Sequence, residues 1–161
     1  MANVKITELT AQTTTADATD VLPIVDVAAN ATKKITVANL ITAQARTFTA
    51  AQRGEIEDVA VAAGDTTKQL NFATANNFAL TLANTASCQL DNPSGLTAGQ
   101  AGSIFIVQSS AGSHLLSYDT AWDFAGGTAP TLSTAGDAVD RIDYIVRSAT
   151  SIHAVFTANY S

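Results

Sequence analysis

The stretch Asn77-Phe78-Ala79-Leu80-Thr81-Leu82 decides the fold class, because Phe78, Leu80 and Leu82 recur at every second position. An extended chain puts all three on one face, whereas a helix, with about 3.6 residues per turn, would scatter them. The stretch Arg141-Ile142-Asp143-Tyr144-Ile145-Val146-Arg147 repeats the pattern. There Ile142, Tyr144 and Val146 face inward, and Arg141, Asp143 and Arg147 face out. Ile145 is the exception, an apolar residue at an outward position. The run Ile104-Phe105-Ile106-Val107 is apolar throughout and reads as a strand covered on both faces.

Working outward, strands are expected at 56–62, 67–73, 77–83, 87–91, 102–109, 113–118, 139–147 and 150–157. Turn-forming residues separate them at Ala63-Gly64-Asp65, Asp91-Asn92-Pro93-Ser94-Gly95, Ala111-Gly112-Ser113 and Gly126-Gly127-Thr128-Ala129-Pro130. Short strands at this spacing, with no helix between them, predict a jelly-roll-like β-sandwich over 56–161.

Residues 1–46 read differently. Val4-Lys5-Ile6-Thr7-Glu8-Leu9 alternates as a strand, and Val21-Leu22-Pro23-Ile24-Val25-Asp26-Val27 reads as an edge strand, because Pro23 cannot donate to a ladder. Lys33-Lys34-Ile35-Thr36-Val37 leads into a short helix at Ala38–Ala45, with Thr36 as its cap. A segment of this length holds too little apolar surface for a core of its own. It is expected to be a docking and assembly arm whose contacts come from Ile6, Leu9, Val21, Leu22, Ile24 and Val25. Residues 47–55 read as a hinge, where Thr49 caps a single turn and Gly54 ends it. The expected fold is therefore mainly β: an arm with short strands and one short helix, then the sandwich.

Composition narrows the function. Charged residues make up 14 % of the 161-residue chain, against about a quarter in ordinary domains. The surface must rely on Thr, Ser, Asn, Gln and Ala, which suits a protein covered by other subunits and equally a β-structure with many tight turns. The net charge is -6, and Lys33-Lys34 is the only adjacent basic pair. No nucleic-acid partner is expected, since phosphate neutralisation needs a basic face. No apolar run approaches the roughly 20 residues of a membrane span, and Met1–Leu9 lacks the apolar core of a secretory signal. Cys88, the sole cysteine, reads as a small buried hydrophobe.

Motifs for chemistry are not found. His114 and His153 lie far apart and lack metal-ligand spacing, and no G-x-S-x-G elbow is present. Gly126-Gly127 lacks the lysine of a phosphate loop. Asp137, Asp140 and Asp143 are spaced by three, which does not make them converge on an extended chain. No catalytic residue, metal or cofactor is expected. Tyr118, Trp122 and Phe124 cluster ahead of Gly126-Gly127 and are the candidates for a subunit or receptor contact. Stacking on a host glycan is the alternative use of the same rings.

Two stretches carry a family resemblance. Lys5-Ile6-Thr7-Glu8-Leu9-Thr10, Thr19-Asp20-Val21-Leu22-Pro23-Ile24-Val25-Asp26-Val27 and Thr32-Lys33-Lys34-Ile35-Thr36-Val37-Ala38-Asn39-Leu40 together resemble the opening of bacteriophage virion proteins, including cyanophage fibre and decoration proteins. The second stretch runs from Phe48-Thr49-Ala50-Ala51-Gln52-Arg53-Gly54 through Trp122-Asp123-Phe124-Ala125-Gly126-Gly127-Thr128-Ala129-Pro130 to Asp140-Arg141-Ile142-Asp143-Tyr144. It is similar to a β-domain at the ends of phage tail-fibre and head-decoration proteins. The resemblance implies a virion structural protein, a homotrimer, and a partner in the major capsid protein or another virion protein. The short hinge in place of a fibre shaft favours a capsid decoration (cement) protein or short head fibre over a long tail fibre.

Overall fold

A computed structural model describes residues 53–160, together with Ala51 and the backbone of two N-terminal strands. The chain divides into two compact units, Met1–Gln52 and Arg53–Ser161.

In the first unit, β1 (Val21–Asp26) pairs antiparallel with β2 (Ala31–Thr36). Four of the arm's expected contact residues lie on β1: Val21 opposite Thr36, Leu22 opposite Ile35, Ile24 opposite Lys33, and Val25 opposite Thr32. Ile6, Leu9, the expected helix at 38–45 and residues 47–50 and 52 of the hinge lie outside the described residues.

The second unit is β-rich, as the alternation predicts. Its strands are β3 (Ile56–Val61), β4 (Thr67–Lys68), β5 (Asn77–Leu82), β6 (Cys88–Leu90), β7 (Ala101–Gln108), β8 (Leu116–Tyr118), β9 (Trp122–Phe124), β10 (Val139–Ser148) and β11 (Ser151–Thr157). Their pairing is not that of a jelly roll. β3, β5 and β7 are parallel neighbours in one sheet, and β4, β6 and β8 are parallel neighbours in another. A third side is marked by the parallel bridge between Asn71 and Ser94. The chain thus passes from sheet to sheet and returns one strand further on, which is the winding of a β-solenoid. The period is of the order of 20–30 residues per turn, as in other solenoids.

The winding has a physical cause. A jelly roll joins antiparallel strands in two Greek keys, and tight hairpins can make those connections. Parallel neighbours need a long return path. Here the short strands of the second sheet and the third side supply that path. The turns at 63–65 and 91–95 are corners of a coil, not hairpin reversals.

Winding stacks like positions on one another. Val61 pairs with Leu82, and Leu82 with Gln108; one step along, Val59 pairs with Leu80, and Leu80 with Ile106. Neighbouring strands lie about 4.8 Å apart, so these residues form continuous interior ladders. Phe78, Leu80, Leu82, Ile104 and Ile106 are buried on them. Cys88 and Leu90 are buried in the second sheet, facing Leu116 and Tyr118 of the next turn. Burial pushes the Cys88 thiol above its ordinary pKa, with the charge of Asp65 adding to it. Phe105 and Val107 are only half-buried. The continuous apolar run of β7 therefore reflects an outer face that is itself apolar, with no second layer of described residues upon it.

After the third turn the chain changes style. β10 and β11 form an antiparallel hairpin that extends the first sheet from β7, and β9 joins β11 in parallel, giving the order β3-β5-β7-β10-β11-β9. Asp140 on β10 is buried, and its carboxylate accepts the N–H of Ser133 at 2.7 Å and of Asn159 at 2.9 Å. It fastens the preceding loop and the C-terminal end to the sheet. Gly102 has no alternative: a Cβ there would lie 1.7 Å from the backbone oxygen of Asn76. That same oxygen accepts the Tyr144 hydroxyl at 2.8 Å, whose pKa burial pushes up to about 12.

Candidate functional site

Tyr118, Trp122 and Phe124 are brought together by a turn that ends β8 and starts β9. The Asp119 N–H donates to Leu90 O at 3.1 Å, which keeps the turn on the coil below. Asn92 then braces it from that coil: its carbonyl oxygen accepts the Ala121 N–H at 2.7 Å, and its amide donates to Thr120 Oγ1 at 3.2 Å. Tyr118 meets Phe124 edge-on with centroids 4.8 Å apart, and Trp122 at 6.2 Å.

The three rings have different surroundings. Trp122 is 6 % exposed; its indole N–H donates to Asp91 O at 3.2 Å, and its ring meets Phe72 edge-on at 6.3 Å. It fills the end of the coil. Its faces are spent on packing and are not free for a sugar ring. The Tyr118 hydroxyl oxygen is buried. Burial, and next the charge of Asp140, push its pKa up, so it stays neutral. Phe124 is half-buried. These residues, with Asp119, Thr120, Asp123, Gly127 and Ala129, line a cavity of about 320 Å³.

A second constellation was not visible in the sequence. His114 Nδ1 lies 2.6 Å from the backbone oxygen of Asn84, so it carries the proton, and Nε2 accepts from Ser109 Oγ at 2.7 Å. Gln108, itself buried, bonds both the N–H and the oxygen of His114, at 3.0 and 2.9 Å. The hydroxyl–imidazole–carbonyl chain has the bonding order of an activated nucleophile. Here, however, each bond closes the loop at 109–115: Ser109 Oγ also accepts the Ala111 N–H at 3.4 Å, and Asn84 Nδ2 donates to Leu115 O at 3.0 Å. The group holds a solenoid corner shut. The Gly112-Ser113 turn beside His114, with both residues at positive φ, was its one local signal.

The other candidates separate. His153 sits on β11 opposite Asp123, far in sequence from His114. Asp137 lies in a turn at φ 59°, Asp140 is buried as above, and Asp143 joins Arg141 on the outer sheet face. Among the described residues no three His, Cys, Asp or Glu side chains gather in a way that could hold a metal ion. No family model, curated protein or solved structure matches the chain.

Proposed function

We propose that this chain is a non-catalytic structural subunit of a bacteriophage particle, a capsid decoration (cement) protein or short head fibre that binds the assembled shell as a homotrimer. It is made in the host cytoplasm and resides on the virion. Its partners are copies of itself and the major capsid protein or another virion protein. The resemblance of both stretches of the sequence motivates this reading. The observation that carries it is where the chemically capable side chains go. Trp122 is spent on the core, and Ser109 and His114 on a corner, while large apolar side chains stand exposed on an outer sheet face. Such a distribution suits packing against protein surfaces better than turnover of a substrate. Binding only the assembled shell stabilises it by mass action.

Residues 1–46 are the docking arm in this proposal. Deleting them should abolish co-sedimentation with purified particles while the far-UV circular dichroism of the remaining β-domain is retained. Undiminished decoration by the folded, truncated chain would contradict the assignment. The cavity beside Phe124 supports a second reading, a tail adhesin whose outer loop contacts a host glycan.

A further inference from the structure

We infer that the cavity between Tyr118 and Phe124 is a binding site for a small organic cation, an alkylated ammonium group. The inference concerns this cavity alone and neither needs nor supplies the virion reading.

The winding creates the cavity. Each inward position of the coil is covered by the strand of the next turn, as Leu90 is by Tyr118. β8 is the last strand of its sheet, so no further strand covers Tyr118. The chain after it turns back, and Phe124 closes on the Tyr118 ring edge-on, with centroids 4.8 Å apart and planes at 69°. Two half-buried rings at that angle make adjoining walls, and buried Trp122 lies deeper, 6.2 Å from Tyr118. The volume, about 320 Å³, suits a small ligand; such sites span roughly 300–1,000 Å³.

Charge selects the occupant. The lining contains two carboxylates, Asp119 and Asp123, and no Lys, Arg or His. One Asp119 oxygen accepts the Thr120 N–H at 2.7 Å, and one Asp123 oxygen accepts the Ser151 hydroxyl at 2.7 Å. Among the described residues the other oxygen of each has no protein partner, and neither carboxylate is in an ion pair. The nearby cation Arg147 reaches Asp123 only through the neutral Ser151 hydroxyl, at 3.5 Å from it. His153 sits beside Asp123 in the sheet but does not line the cavity. The buried carboxylate of Asp140 also acts on Tyr118, adding to burial in raising its pKa. Ring faces are the negative pole of an aromatic quadrupole and attract a cation within about 6 Å. Rings and carboxylates here therefore favour the same sign of charge. An anion is repelled. A hard divalent ion needs more oxygen ligands than two carboxylates supply. A neutral saccharide, the ligand of the adhesin reading, would leave both carboxylates uncompensated. An alkylated ammonium matches both features, because its alkyl groups pack on rings while its charge faces the carboxylates.

The test is a titration of the full chain with choline chloride, read by the fluorescence of Trp122, the only tryptophan, against sodium chloride at equal ionic strength. Choline should give a saturable change with a dissociation constant on the order of 1 mM. Its neutral isostere 3,3-dimethylbutan-1-ol should bind at least tenfold more weakly. Asp119→Asn and Asp123→Asn keep shape and hydrogen bonding and remove charge; each should weaken choline binding by about three- to tenfold. Phe124→Leu keeps an apolar wall without the ring and should weaken it by about threefold or more. Thermal melts establish that each variant is folded. No saturable response to choline beyond that to sodium chloride would overturn the inference. Equal binding of the isostere would make this an apolar pocket, and saturable binding of glucose or galactose in place of choline would make it a saccharide site; either overturns it. Undiminished binding to the folded Asp119→Asn, Asp123→Asn double variant would overturn the charge assignment. The virion reading fails separately, by absence of the chain from particles.

Discussion

Replacing Phe72 with alanine is expected to lower the unfolding free energy by about 3–5 kcal/mol, the usual cost of truncating a buried aromatic. Phe72 is 3 % exposed and belongs to no strand, yet it joins the three parts of the second unit. It stacks on Phe78 at 5.4 Å and on Tyr144 at 4.6 Å, and Trp122 meets it edge-on at 6.3 Å. Phe78 comes from the second turn of the coil, Tyr144 from the closing hairpin and Trp122 from the last strand to join the sheet. Its backbone is fixed as well: the N–H donates to Ser94 O at 2.8 Å, and its oxygen accepts from Gln100 Nε2 at 2.7 Å. The neighbours are thus poorly placed to collapse into the gap, which puts the cost toward the upper end. Urea titration followed by the fluorescence of Trp122, the only tryptophan, reads the change. A loss below about 1 kcal/mol, the scale of a surface change, would mean that these rings are not packed together.

Trp122→Ala is expected to cost a similar amount, about 3–5 kcal/mol, followed by circular dichroism because the fluorophore is gone. The size of the loss matters for function. If Trp122 were an exposed receptor contact, its removal would cost little stability and would selectively abolish host binding. At 6 % exposure, with its N–H bonded to Asp91 O, the side chain is part of the core. Loss of adsorption in this variant would then report a weakened domain and say nothing of a receptor. A near-neutral effect on stability, together with lost adsorption, would reverse that conclusion and favour the adhesin reading.

Alternation made the strands legible and left their neighbours hidden. Phe78, Leu80 and Leu82 at every second position fix which way those side chains face, and each strand expected over 56–161 overlaps a strand of the structure. Nothing in that pattern says whether Leu80 lies beside an antiparallel partner or, as it does, between Val59 and Ile106 of adjacent turns. The stacked partners are not similar enough in type to announce a repeat: Val61, Leu82 and Gln108 share one ladder. β9 was missed because three residues are too few to show a period, so Trp122-Asp123-Phe124 looked like an aromatic loop before two glycines. Its burial depends on Phe72, which is remote in sequence. The His114 network escaped for the same reason, since its acceptor is the backbone of Asn84. Ile145, by contrast, was conspicuous as the one apolar residue at an outward position of the Arg141–Arg147 stretch, and the structure leaves it exposed.

The measurement that bears most directly on the proposed role is the copy number of this chain in purified virus particles, by quantitative mass spectrometry against the major capsid protein. A decoration protein spread over the shell predicts hundreds of copies per particle, in a multiple of three. A few to a few dozen copies would place it at a vertex or tail and move the loop around Phe124 to the front as a receptor contact. Absence from the particle would contradict the structural role.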